Sequence, residues 1–258
     1  MKIAVTSENE LAIEIARAFN RKSNEVEFFV VDNPSKIYAI KPDVLIHTYE
    51  IEMFESNLKP NVAWNTNTWL SINLARVASK LGAENIYFST FMIYDGKRGY
   101  YKENNPPNPV NYYGLTKLAG EVGIVSLGNF LILRVGALFS LSYRGLLYPF
   151  IRASVRGRVL RCNTNFFLSI VNIKSLARIV RDLILNGSRG IINVGSNRVS
   201  LYDVCVYLSD IFGNDVTGVE GGYRDFSLDD WILRRGYNIT LRAQEEVKKL
   251  VEEQIRYD

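Results

Sequence analysis

Apolar and polar positions along this chain fall into blocks that switch between a two-residue and a 3.6-residue period, and the switch repeats over most of its length. Ile3-Ala-Val-Thr is a strand-like run, and behind it Leu11, Ile15 and Phe19, with Ala12 and Ala16, form a helical stripe. Further strands are predicted over Val26–Val31, Val44–Ile46, Asn85–Ser89, Phe130–Val135 and Ile191–Val194, with helices near 68–81, 112–125 and 173–185. Strands joined through helices at this spacing run parallel, so the pattern predicts an α/β fold with a doubly wound parallel sheet. Two stretches break the alternation. Residues 140–168 are basic and aromatic, and the segment from 201 onward starts a helix with Ser200-x-x-Asp203 and ends in a charged helix near 240–256. They are expected to form a small discontinuous C-terminal substrate lobe, 140–168 plus 201–258, beside a core of 1–139 plus 169–200.

Composition narrows the chemistry. At 258 residues and 47% hydrophobic content the chain can bury a full core and is expected to need no covalent staple. Its two cysteines, Cys162 and Cys205, and its single histidine, His47, are too few and too scattered for a zinc site or an imidazole-based triad, so no metal is expected. No run of eighteen apolar residues and no signal-peptide pattern occurs, which predicts a soluble, cytoplasmic protein without a membrane partner. Between Glu121 and Asp182 there is not one acid, while Arg152, Arg156, Arg158 and Arg161 crowd its middle. This favours an anionic ligand, such as a small-molecule substrate whose diphosphate those four arginines could clamp, or an anionic surface partner. The arginines are interleaved with apolar runs rather than arrayed on a polar face, which argues against nucleic acid.

The most informative chemistry lies between Ser89 and Glu121. An apolar run ends in Ser89-Thr90, a loop rich in Pro and Asn follows, and then comes Tyr113-Gly-Leu-Thr-Lys117. A Tyr and a Lys four apart share a helix face. There the ammonium is expected to lower the phenol's pKa from about 10 and make it a general acid toward a carbonyl receiving hydride. None of the other fourteen of the fifteen tyrosines has Lys at that offset.

Ser89-Thr90-Phe-Met-Ile-Tyr-Asp95-Gly96, Tyr101-Lys-Glu103, Pro106-Pro107-x-Pro109 and Tyr113-Gly-Leu-Thr-Lys-Leu-Ala-Gly-Glu121 together resemble the dTDP-4-dehydrorhamnose reductase family of extended short-chain dehydrogenase/reductases. Lys41-Pro-Asp-Val-Leu-Ile46, Asn67 with Asn73-Leu-Ala-Arg, and Gly190-Ile-Ile-Asn-Val-Gly195 extend the likeness over most of the chain. The resemblance implies a Rossmann-like fold, NADP or NAD as cofactor, and reduction of a keto group on a nucleotide-activated sugar or similar anionic metabolite. It implies Tyr113 as proton donor, Lys117 on the nicotinamide ribose, and Thr90, with Ser89 beside it, on the carbonyl. Ser7, Asn9 and Asp32 then fall where the rest of the dinucleotide is held.

Three departures from the family cluster on the cofactor side. The glycine-rich turn after the first strand reads Thr6-Ser7-Glu8-Asn9-Glu10-Leu11-Ala12, without a glycine and with two carboxylates. From Asp32 to Lys41 the chain passes almost directly into the next strand, without room for the strand and helix that line an adenine pocket. After Val44–Ile46, His47-Thr-Tyr-Glu50 replaces the expected small residues. The substrate side is altered too, with Cys162-Asn-Thr-Asn-Phe-Phe-Leu-Ser169 where the family carries Asp-Gln and Pro-Thr. A second reading follows: a non-catalytic binding or regulatory subunit, as in the related beta subunit of methionine adenosyltransferase. Both readings leave room for a homodimer or a protein partner.

Overall fold

The computed structural model describes residues 1–20 and 25–254. In chain order its first elements are β1 (Lys2–Val5), α1 (Glu10–Asn20), β2 (Glu27–Val30), α2 (Pro34–Ile40), β3 (Val44–His47), α3 (Met53–Leu58) and α4 (Pro60–Ala63). A π-helical stretch over Trp64–Leu70 leads into α5 (Ser71–Lys80), β4 (Glu84–Thr90), α6 (Tyr112–Val125) and β5 (Phe130–Val135). Then follow β6 (Ala137–Phe139), α7 (Tyr148–Val155), β7 (Leu160–Asn163), β8 (Phe166–Leu168), β9 (Ile170–Asn172), α8 (Ile173–Leu185) and β10 (Gly190–Val194). The chain closes with β11 (Val199–Ser200), α9 (Leu201–Phe212), β12 (Val216–Val219), β13 (Arg224–Asp225), α10 (Trp231–Tyr237) and α11 (Ala243–Gln254).

Six of these strands form a parallel sheet in the order β10-β5-β4-β3-β1-β2, the doubly wound sheet that the alternation predicts. Its centre is buried on both faces. All seven residues of β4 and all four of β3 are buried, so neither strand shows the in-out alternation of a half-exposed one. Against this sheet Ala4 and Leu45 meet Ile37 of α2 and Leu74 and Ala78 of α5 in one apolar cluster. Helices α1 and α8 pack together, and Arg181 donates to the Ala18 carbonyl at 3.2 Å.

The chain divides into two units. The first comprises 1–93, 109–134 and 173–192, and the second 94–108, 135–172 and 193–258. In the second, α9 opens with the capping box read from Ser200 and Asp203, each side chain bonding the other's backbone N–H. The terminal helix runs over Ala243–Gln254, and the predicted extension to 256 lies outside the described residues. Its Glu246 and Glu253 accept from the backbone and the side chain of Asn172, at 2.8 and 3.0 Å.

Two expectations are corrected. The chain does carry a covalent staple: fully buried Cys162 on β7 and Cys205 on α9 form a disulfide across 43 residues. Loop closure over that separation is worth about 4 kcal/mol in the chain-entropy model. Composition could not reveal the pairing, because it depends on which strand lies beside which helix. The stretch from Asp32 to Lys41 is likewise not a direct run but the short helix α2. Asn33 caps it by accepting from the Lys36 N–H, Pro34 supplies a fixed first φ, and Lys41 ends it in the left-handed region at φ 51°.

Candidate functional site

The site is built where α6 begins, within the first unit. Asn111 accepts from the Gly114 N–H at 2.7 Å and sets the start of the helix, which places Tyr113 and Lys117 one turn apart. Gly114 is required there: a Cβ would come within 2.1 Å of the Met92 carbonyl oxygen, so α6 lies directly on the turn that follows β4. A second close approach, at Gly120, brings the helix against the Tyr87 hydroxyl and the Asn67 carbonyl. Both chemistry-bearing side chains of this helix are buried, Lys117 at 2% exposure and Tyr113 at 9%.

What they meet is a carboxylate. Glu50 Oε2 lies 2.8 Å from Lys117 Nζ and accepts from the Tyr113 hydroxyl at 3.2 Å. The ammonium also sits 4.6 Å from the ring centre of Tyr87, over its face. Burial disfavours the Lys117 ammonium, but Glu50 and Tyr87 together outweigh burial and hold its pKa above the usual value. Tyr113 moves opposite to the expectation. Burial first, and then the Glu50 and Glu52 carboxylates, raise its phenol well above the ordinary 10. The attraction of Lys117 that should have acidified the phenol is spent on Glu50.

Glu50 belongs to a short segment after β3 that reaches three places at once. Thr48 Oγ1 accepts from the Ser7 N–H at 3.0 Å and donates to the Ser7 carbonyl at 2.9 Å. The Thr48 carbonyl accepts from Asn9 Nδ2 at 2.6 Å, and the Tyr49 N–H donates to Thr6 Oγ1 at 2.8 Å. Asn9 in turn caps α1, its Oδ1 accepting from the Ala12 N–H at 3.0 Å. At the far end Asn67, inside the π-helical stretch, accepts from the Ile51 N–H and donates to the Ile51 carbonyl and to Thr116 Oγ1, at 2.8, 2.9 and 3.0 Å. Single π-helical turns of this kind recur at functional positions. Residues 48–51 therefore act as one strap, sewn to the turn before α1, to α6 and to Asn67.

The strap decides how the residues present fit a nicotinamide dinucleotide. Pyrophosphate needs open backbone N–H groups at a helix N-terminus, and here the N–H groups of Ser7 and Ala12 are already bonded within the protein. A ribose would need Lys117 and Tyr113, which Glu50 holds. The site as folded does not fit the group.

The sequence-predicted residues separate accordingly. Tyr113, Lys117, Ser7 and Asn9 are all tied to the strap. Thr90 ends β4, buried, with its Oγ1 accepting from the Met92 N–H at 3.2 Å, while the buried Ser89 Oγ has no hydrogen-bond partner among the described residues. Asp32 is exposed and bound to Lys36 at 2.9 Å and to Asn33, bonds that lower its pKa. Arg152, Arg156, Arg158 and Arg161 lie on and after α7 in the second unit, all exposed. Sequence reasoning missed Glu50, Thr48 and Asn67 as working residues. The signal for the first two was visible: a polar run at the end of a buried strand, where small residues were expected.

A family model described as RmlD substrate binding domain matches residues 4–204. The methionine adenosyltransferase 2 subunit beta of Bos taurus is 36% identical over 108 residues, which cover 40% of this chain and 31% of that protein. The chain thus spans about a third of the length of that relative. A dTDP-4-dehydrorhamnose reductase structure from Clostridium acetobutylicum superposes with a TM-score of 0.88 at 23% identity, covering 98% of this chain and 99% of that one. The Bacillus anthracis dTDP-4-dehydrorhamnose reductase in complex with NADP gives 0.85 at 19% identity, with 98% of each chain covered. At these identities the superpositions establish the fold.

Proposed function

Because this chain belongs to the RmlD substrate binding domain family, we propose that it keeps the family's reductase fold but serves as a non-catalytic binding or regulatory subunit without dinucleotide turnover. The observation that carries this reading is the strap: one segment takes up the Ser7 N–H and the Asn9 amide through Thr48 and neutralises Lys117 through Glu50. A buried ammonium already paired at 2.8 Å offers a ligand little, because the incoming group must first displace a carboxylate. The partial likeness to a protein named as a subunit points the same way.

The test is direct titration of the purified protein with NADPH and with NADH, following nicotinamide fluorescence and thermal stability. A ligand at a hundredfold its Kd stabilises by about 2.7 kcal/mol. We expect no shift with either dinucleotide at about millimolar concentration. A saturable shift would defeat the proposal.

That outcome would favour the second reading, an NAD(P)H-dependent reductase of a keto group on a nucleotide-activated sugar or similar anion. Its support is the placement of Thr90, Tyr113 and Lys117 at the end of β4 and the start of α6. Under it, Tyr113→Phe abolishes turnover and leaves dinucleotide affinity unchanged. Loss of affinity instead would make Tyr113 a positioning residue.

A further inference from the structure

We propose that the strap Thr48–Ile51 is an internal occupant of a latent dinucleotide seat, and that this strap, rather than the missing glycines, keeps the seat closed. The inference rests on the reading that the wild-type chain does not turn over a dinucleotide, and it names the device responsible.

Glycine in a phosphate-binding turn serves two ends, left-handed backbone and close approach. The first is not called for here. The described non-glycine residues with positive φ are Lys41, Tyr100, Asn129 and Asn238, so the turn from Thr6 to Glu10 has ordinary backbone throughout. Its donors have not been lost either. Ser7 still presents its N–H, to Thr48, the Asn9 amide donates to the Thr48 carbonyl, and the Ala12 N–H donates to Asn9. Glu8 is exposed.

What the strap places against these donors is a set of oxygens. Within three residues it offers a hydroxyl and a carbonyl from Thr48 and a carboxylate from Glu50. They meet a backbone N–H, an amide NH₂, an ammonium and a phenol. Phosphate and ribose oxygens would call on donors of the same classes. Asn67 then fixes the end of the strap by gripping both backbone groups of Ile51. The groups beneath the strap are thus preserved and engaged, not erased.

Thr48→Ala combined with Glu50→Ala removes the hydroxyl and the carboxylate while leaving the turn, α1 and α6 untouched. Titrated with NADPH and with NADH, this double variant is expected to show saturable binding at least about tenfold tighter than the wild type. A cooperatively folded double variant that binds no more tightly than the wild type overturns the proposal. Glu50→Gln, nearly isosteric, decides the matter if the double variant does not fold. In it Lys117 loses its counter-ion, and trinitrobenzenesulfonate, read by mass spectrometry, should modify Lys117 about tenfold faster than in the wild type. Equal rates overturn the proposal. The two readings fail separately: wild-type binding sinks the proposed function, whereas the strap stands or falls on the ratio of variant to wild type.

Discussion

Helix α6 carries two buried ion pairs one turn apart, and they show how similar chemistry serves different ends. Glu121 receives Arg134 through both Nε and Nη2, at 3.2 and 2.6 Å, with side chains 3% and 5% exposed. That pair joins the helix to β5 and belongs to the scaffold. Lys117 and Glu50 join the same helix to a segment lying outside the sheet, and Glu50 keeps 21% of its side chain exposed. A scaffold pair is held by regular elements on both sides, whereas the second has one partner on a segment between elements. The lesson is that burial of a charge says little about its role until the element carrying its counter-ion is known.

The sharpest way to break this comparison is to remove one carboxylate from each pair. Glu121→Ala takes the carboxylate away from a buried guanidinium and should cost about 3–5 kcal/mol, read as a fall in denaturant midpoint at unchanged slope. Glu50→Ala should cost clearly less, because its site is partly open to water and Lys117 can shed its proton. Equal costs would put both pairs in the scaffold and leave the strap without a distinct role.

The contrast also marks what was legible beforehand. Helix α6, over Tyr112–Val125, is legible because the proline loop bounds it and its spacing is helical; all of that information is local. The parallel sheet was legible for the same reason, through strands with buried runs and helices with one apolar stripe. The strap was visible only as an oddity, His47-Thr-Tyr-Glu50, because its meaning lies in partners as distant as Ser7 and Lys117. Hydrogen bonds across 41 and 67 positions leave no periodicity to read. The same holds for Cys162 and Cys205, which are distant in sequence and adjacent only once β7 and α9 have packed. The direction of the Tyr113 shift was misread for a related reason. The spacing supplied the cation, and the anion that captures it came from another part of the chain.

A second prediction concerns the residue from which the strap departs. His47 ends β3, is buried at 3% exposure, stands edge-on to Tyr87 with ring centres 5.9 Å apart, and shares a hydrogen bond with Asn85 at 3.3 Å. Burial, opposed by the Asn85 bond and aided by Lys117, lowers its pKa to about 4. The folded protein therefore binds a proton less readily than the unfolded chain does. Its contribution is fully present above the unfolded value near 6.5 and is lost as the pH falls from there toward 4. The full span amounts to about 3 kcal/mol. Because this is the sole histidine of the chain, His47→Gln should flatten stability between pH 6.5 and 4. An unchanged slope in the variant would assign that acid sensitivity to the carboxylates instead.

The smallest effect tests the other end of the strap. Asn9 does two things with one side chain: its oxygen caps α1 at Ala12, and its amide holds the Thr48 carbonyl at 2.6 Å. If only the cap mattered, Asn9→Asp would be harmless, since aspartate accepts the Ala12 N–H equally well and complements the helix dipole. But aspartate cannot donate to Thr48, and it sets a carboxylate oxygen against that carbonyl. Asn9→Ala should therefore lose about 2 kcal/mol, through cap and strap together, and Asn9→Asp about 1 kcal/mol, through the strap alone. Thermal melts of the pair, each repeated in a Thr48→Gly background, separate the two contributions. The strap's share concerns the Thr48 backbone carbonyl, so it should survive there only if Thr48 Oγ1 is not needed to hold that carbonyl in place. If aspartate instead equals asparagine in the wild-type background, the bond from Asn9 to the strap carries no stability, and the strap is anchored by its other bonds, to Ser7, Thr6, Lys117 and Asn67.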